Sequence, residues 1–266
     1  MNRIYLMPKV LIISFILLYI YETFNFWDIL LAIIVSSLFV LLMQILYMFL
    51  KGKYYLHCMK KGKVNIDKIY SYINQVLKTV NYFLGLKVTA YHLERFDPKR
   101  NYLIIPNHQS NCDVTILLEV IKRPIVFVSK ISISKLIIVR DWMKLIGSLY
   151  LDKNDMRGQI RIMKKVENKL NENENVVIFP EGKRSFSSEM NEFKPGTFKV
   201  ATKTKVDILP VTINNAYKLR KNYPWKKTDI SVYFHEPIPY EVYKDMTTQE
   251  LAKMVKGVVE SKIICE

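Results

Sequence analysis

A chain of 266 residues is long enough for one sizeable core, or a core plus an accessory segment, and too short for several large domains. Its formal net charge of +16 points toward anionic partners (phosphate esters, nucleic acid or the anionic face of a membrane) without choosing among them. Cys58, Cys112 and Cys265 are widely spaced, form no C-x-x-C pair and leave an odd thiol, which favours a reducing, cytosolic setting for the main domain.

Apolar residues crowd into the first fifty positions. Ile29 to Leu50 is a run of twenty-two residues without a charge, which as a helix is roughly 33 Å long at about 1.5 Å per residue, enough to cross a bilayer. Val10 to Tyr21 is a second apolar run, twelve residues between Lys9 and Glu22, short for a span of its own and equally compatible with a half-inserted or interfacial helix. Arg3 and Lys9 precede the first run, Lys51, Lys53, Lys60 and Lys61 follow the second, and the turn between holds Glu22 and Asp28. By the positive-inside rule both ends face the cytoplasm, giving a membrane helical hairpin over residues 1–53. A cleaved signal peptide is the competing reading, but no small-residue cleavage site follows the first run and a longer apolar stretch comes next.

Residues 54–266 read as one α/β domain without repeats or a low-complexity linker. Val64 to Phe83 has apolar residues at helical spacing, and Gly85 stops that helix. Strands are expected at Leu86 to Leu93, Tyr102 to Pro106, Ile125 to Val128, Leu149 to Leu151, Val176 to Phe179, Ile208 to Ile213 and Ile230 to Phe234. Helices are expected at Val114 to Ile121, Lys135 to Leu145, Met156 to Leu170, Phe198 to Thr204 and Thr248 to Ile263. The alternation argues for a largely parallel central sheet flanked by helices, with chemistry beyond the carboxyl ends of the strands.

Two loops at such ends carry reactive side chains. Asn107-His108-Gln109-Ser110-Asn111-Cys112-Asp113 follows the second strand and opens a helix. A carboxylate fixes the tautomer of an imidazole and stabilises its cation, so His108 and Asp113 are candidates for a general base and its partner. Residues five apart do not share a helix face, so the pair must close across the strand-to-helix turn. The bland alternative is a helix-capping arrangement, with Ser110 three residues before an acid near the helix dipole. Phe179-Pro180-Glu181-Gly182-Lys183-Arg184-Ser185 is the second loop. Gly182 permits close backbone approach and Lys183 and Arg184 suit a phosphate, although a polar turn with solvated charges fits as well.

Taken together the two loops resemble the glycerolipid acyltransferase family, the group containing 1-acylglycerol-3-phosphate acyltransferase. Its first motif reads Asn-His-x-x-x-x-Asp and its third Phe-Pro-Glu-Gly-Thr-Arg-Ser. Phe193-Lys194-Pro195-Gly196 is similar to the segment after the third motif, and Ile208-Leu209-Pro210-Val211 to the fourth, so the resemblance covers about Leu86 to Asn215. Two positions depart from the pattern: Lys183 stands where the family usually has Thr, and Asp152-Lys153 where it has Asp-Arg, which exchanges a planar two-pronged donor for a point charge. Lys130 resembles a basic position between the first two motifs.

The resemblance implies a membrane-associated O-acyltransferase of phospholipid biosynthesis, acylating the free hydroxyl of 1-acylglycerol 3-phosphate to give phosphatidate. His108 and Asp113 are the implied catalytic residues. Glu181, Gly182, Lys183, Arg184, Lys153, Lys130 and Pro210 are the implied substrate-binding residues, with the phosphate on Arg184. No metal or cofactor is implied, and the acyl donor is a co-substrate: acyl-CoA, acyl carrier protein or acyl-phosphate. Glycerol 3-phosphate or another lysolipid is the alternative acceptor within the family. A non-catalytic membrane-bound anion or nucleic-acid binder is the alternative outside it, though neither zinc spacing, an RRM signature nor a basic zipper is present and no nucleic-acid partner is expected. The sequence also lacks the G-x-S-x-G of a serine nucleophile, and Cys112 reads as a packing residue.

Overall fold

A computed structural model describes residues 3–21, 25–152 and 154–264 of the chain, which divides into two compact units, residues 1–64 and 65–266. The first unit is a pair of helices, α1 (Arg3–Tyr21) and α2 (Phe26–Lys60). Asn25 starts α2 by accepting hydrogen bonds from the Trp27 and Asp28 N–H groups. Ala32, Ser36 and Val40, four residues apart on one stripe, are buried, and the Ser36 hydroxyl meets that of Ser14 on α1. Small residues and a shared hydroxyl are the packing devices of helices in lipid, where apolar surface by itself gives no reason to associate. Most other apolar side chains of α2, such as Leu31, Leu38 and Leu42, are exposed. A helix of 35 residues with that surface is long and apolar enough to cross a membrane and associates the chain with one.

The second unit begins with α3 (Ile66–Phe83), capped by Asn65 and ended by Gly85 at φ +72°. Seven strands follow among the described residues: β1 (Leu86–Tyr91), β2 (Tyr102–Pro106), β3 (Ile125–Lys130), β4 (Leu149–Leu151), β5 (Asn175–Val177), β6 (Asp207–Asn214) and β7 (Thr228–Phe234). They form one sheet in the order β1-β7-β6-β2-β5-β3-β4. Every neighbouring pair is parallel except β6 with β7. The helices between and after them are α4 (Asp113–Val120), α5 (Ile137–Leu145), α6 (Met156–Asn171), α7 (Lys199–Thr204), α8 (Leu219–Asn222), α9 (Tyr240–Tyr243) and α10 (Thr248–Glu260).

The residues of β2 are buried throughout, as a parallel strand covered on both faces must be. One side of the core joins Leu103, Ile105, Val176 and Ile208 to Phe198 and to Leu251, Val255 and Val259 of α10. Because β2, β3, β4, β5 and β6 run the same way, their carboxyl ends share one edge of the sheet. The loops carrying His108, Lys130 and Glu181 to Ser185 all leave from that edge.

The structure departs from the expected boundaries in a few places. β1 stops at Tyr91 because His92 adopts a left-handed φ of +58°, so His92 lies outside the strand in which it was expected. The helix expected from Lys135 starts instead at Ile137 as α5, and Lys135 closes a preceding 3-10 turn, Ile131–Lys135. β5 ends at Val177 rather than Phe179, because Phe179 leaves the ladder for the ring of His108.

Candidate active site

Beyond β2 the chain is clamped residue by residue. Asn107 is fully buried, and its side-chain amide donates to the carbonyl of Ile213 at 2.9 Å and accepts from the Ile213 N–H at 2.7 Å, extending the β2/β6 pairing through a side chain. Gln109 accepts from the Ala216 N–H at 3.1 Å. Between them, the His108 N–H donates to Glu181 Oε1 at 2.6 Å. Three consecutive residues are thus held by three different segments.

The His108 side chain closes on the helix that follows. Its Nδ1 lies 2.7 Å from Asp113 Oδ2, with Asp113 wholly buried and the imidazole 19% exposed. Asp113 opens α4, and its Oδ2 also accepts from the Ser110 N–H at 2.9 Å. The capping alternative is therefore present in part, as a carboxylate reaching back over the first turn, but the same oxygen takes the imidazole. Since a carboxylate accepts, Nδ1 carries the proton and Nε2 keeps its lone pair. Phe179 stacks on the imidazole, with ring centroids 4.1 Å apart. Burial pushes the Asp113 carboxyl above the usual carboxylate range, and the contacts with His108 and the Ser110 N–H pull against it.

The second loop is bound to the first through its backbone. The Ser185 N–H donates to the His108 carbonyl at 2.8 Å, and the Lys194 N–H to that of Pro180 at 3.0 Å. Gly182 sits at φ +67°, a conformation that a side chain would strain, and a Cβ there would lie 2.9 Å from Lys194 Nζ. Lys183 and Arg184 are exposed, the guanidinium lying 5.1 Å from the centroid of the Phe186 ring.

Glu181, expected among the residues that touch the acceptor, has another task in this geometry. It is 2% exposed, and both oxygens are committed to protein donors: Oε1 to His108 N–H, and Oε2 to the Asn191 N–H and side-chain amide at 2.8 and 2.7 Å. It braces the imidazole-bearing loop. Glu181→Gln would set a donor against a donor at one of those contacts, at a cost of about 1–3 kcal/mol. A melting temperature lowered by roughly 2–4 °C per kcal/mol is expected, and an unchanged one would refute the brace.

Of the remaining expected residues, Lys130 ends β3 at the active edge with its side chain exposed. Pro210 is buried within β6 opposite Ile105, and its carbonyl accepts from the His235 N–H. Lys153 lies outside the described residues. Cys112 is half-buried, and burial together with the Asp113 carboxylate pushes its thiol up, away from a reactive thiolate. His235 is structural: its Nε2 meets the Thr212 hydroxyl at 2.7 Å, and burial lowers its pKa to about 4.

Sequence reasoning passed over Asn107, Gln109 and Asn191, whose work is to hold backbone groups. Their amide side chains at or next to the motif ends are the available signal, and it is faint.

A partly exposed imidazole with a buried carboxylate on its Nδ1 and cations on the adjoining loop are equipped to take a proton from a hydroxyl near an anionic group. Comparison with known proteins points the same way. Residues 87–214 match the family described as Acyltransferase. The chain is 26% identical over 218 residues to a probable 1-acyl-sn-glycerol-3-phosphate acyltransferase of Mycoplasma genitalium, covering 77% of this chain and 79% of that protein. A protein of the same description from Mycoplasma pneumoniae is 30% identical over 156 residues, covering 57% of this chain and 56% of its own length. The fold is shared with the crystal structure of the 1-acyl-sn-glycerophosphate (LPA) acyltransferase PlsC from Thermotoga maritima, at a TM-score of 0.67 and 22% identity, over 83% of this chain and 95% of the other. Both motifs are thus folded into one edge of the sheet, and the segment that is similar to the acyltransferase family runs from β1 to the end of β6.

Proposed function

We infer that the protein transfers a fatty acyl chain to the free hydroxyl of 1-acylglycerol 3-phosphate, giving phosphatidate. The observation that carries this reading is the 2.7 Å contact between His108 and the buried Asp113, at the edge where Lys183 and Arg184 are exposed. Nε2 of His108 removes the hydroxyl proton as the oxygen attacks the carbonyl of the acyl donor. Asp113 stabilises the imidazolium so formed, and the imidazolium returns the proton to the departing group. The donor is acyl-CoA, acyl carrier protein or acyl-phosphate, and the acyl group passes directly to the acceptor without an acyl-enzyme.

Arg184 binds the acceptor phosphate, assisted by Lys183, the Gly182 backbone and the basic residues Lys130 and Lys153. Residues 1–53 anchor the chain and residues 54–266 form the catalytic domain. The lysines that follow the apolar run support a cytoplasmic catalytic domain by the positive-inside rule.

The test supplies labelled acyl donors with lysophosphatidate, glycerol 3-phosphate and several lysolipids. Label is expected in phosphatidate. Acceptance of glycerol 3-phosphate alone would overturn the assignment of the acceptor. Arg184→Ala should raise KM for phosphorylated acceptors by about 10-fold or more, in line with loss of a charged hydrogen bond, and leave an unphosphorylated alcohol acceptor little changed. A uniform loss over both would make Arg184 an architectural residue.

A further inference from the structure

The antiparallel step between β6 and β7 brings a second set of turns to the edge that bears His108. β1 and β7 run parallel to each other and opposite to β6, so both begin at that edge. Two segments meet there: the end of α3, with Tyr82 and Phe83, and the connection 215–227 between β6 and β7. The Thr228 N–H donates to the Gly85 carbonyl at 2.8 Å, and a Cβ on Gly85 would lie 3.7 Å from Lys227 Cα. The connection starts beside the dyad, since Ala216 is the residue that holds Gln109.

Its composition is one-sided. Residues 215–227 contain Lys218, Arg220, Lys221, Lys226 and Lys227 and no acidic residue. Trp225 is 91% exposed, and Tyr223, Tyr82 and Phe83 stand about half out of the surface. The turn is also well built. The Tyr223 N–H donates to Leu219 at 2.9 Å, the Lys226 N–H to Asn222 at 2.7 Å, and the Asn222 amide to the Thr228 hydroxyl at 3.0 Å. Hydrogen bonds within the turn thus hold an indole out in water, where its apolar face has no partner.

Aromatic rings mixed with lysines are the composition of a membrane interface, the rings at headgroup depth and the cations on anionic lipid. We propose that Tyr82, Phe83 and the turn Tyr223 to Lys227 form a docking surface for an anionic bilayer, additional to the apolar helix α2. The surface sets the edge bearing His108 against the lipid headgroups. Stacking aromatics with lysines also suit single-stranded nucleic acid. A bilayer is favoured because the same chain carries a helix of membrane-crossing length.

The test uses the full chain reconstituted in phosphatidylcholine vesicles with roughly one third phosphatidylglycerol, enough to give a negative surface. Subtracting the emission of Trp225→Phe from that of the wild type isolates this indole. Quenching by lipids brominated near the headgroup is expected, together with protection from aqueous acrylamide, and both should weaken when Lys226 and Lys227 are changed to Glu. An acrylamide-accessible indole indifferent to brominated lipid overturns the proposal, as does quenching by a single-stranded oligonucleotide in place of lipid.

A kinetic arm uses Trp225→Ser combined with Lys226→Glu and Lys227→Glu. Transfer to acceptor embedded in anionic vesicles should fall by about tenfold, while transfer in detergent micelles stays at the wild-type rate. Equal loss in both media would mean a structural role and overturn it. The fluorescence arm requires no turnover, so its failure is distinct from a failure of the acyl-transfer reading.

Discussion

Replacing His108 with Ala is expected to lower acyl transfer by about 10²-fold or more while the protein stays folded, the scale typical of a lost general base. The imidazole is partly exposed and contacts Asp113 and Phe179 at the rim of the sheet. Its removal therefore leaves the strands beneath it intact. The two backbone bonds at position 108, from its N–H to Glu181 and to its carbonyl from Ser185, do not involve the side chain and persist in Ala. Transfer assays on purified wild type and variant, with circular dichroism as the control for folding, check this. Equal rates would remove His108 from the chemistry.

Asp113→Asn separates the charge of the carboxylate from its shape, and a loss on the order of 10³-fold or more is expected from disturbing the tautomer and the cation. Oδ2 accepts from both His108 Nδ1 and the Ser110 N–H, whereas Oδ1 is buried without a hydrogen bond. An amide has two ways to sit there. With its oxygen in the Oδ2 position, the NH₂ takes a buried site without an acceptor, at a cost of about 1–3 kcal/mol. With its nitrogen there, the amide faces the Ser110 N–H with a donor and forces the imidazole proton onto Nε2, where the acceptor hydroxyl needs a base. Neither orientation supplies the negative charge that steadies the imidazolium. KM for the acceptor should change far less than kcat, since Asp113 lies behind the imidazole and out of reach of substrate. A variant losing only acceptor affinity would contradict this division of labour.

Much of the fold is legible in the sequence because the strands announce themselves. Tyr102 to Pro106 and Leu149 to Leu151 are short apolar runs bounded by polar residues, and the structure ends each strand where the run ends. The dyad is legible too, as His and Asp flank a strand-to-helix turn. What holds the dyad is not. Asn107 finds Ile213 across 106 residues, Gln109 finds Ala216 across 107, and Glu181 finds the His108 backbone across 73. Those contacts depend on strand order, which places β6 and β5 on either side of β2. A carboxylate in a loop of glycine and cations reads as a ligand for substrate, and nothing local to Glu181 distinguishes that use from the clamping of a neighbouring backbone. Phe179 extends an apolar run and so reads as strand, while the ring it stacks on comes from another loop.

The double hydrogen bond from Asn107 to Ile213 has a consequence for how the enzyme comes into being. During synthesis β2 emerges long before β6, and the residues on either side of His108 lack these clamps until Ile213 and Ala216 arrive to hold Asn107 and Gln109. A nascent chain released before that point carries both motifs in full and still lacks the clamps on either side of His108. The loop bearing His108 is thus completed late, when the sixth strand locks beside the second.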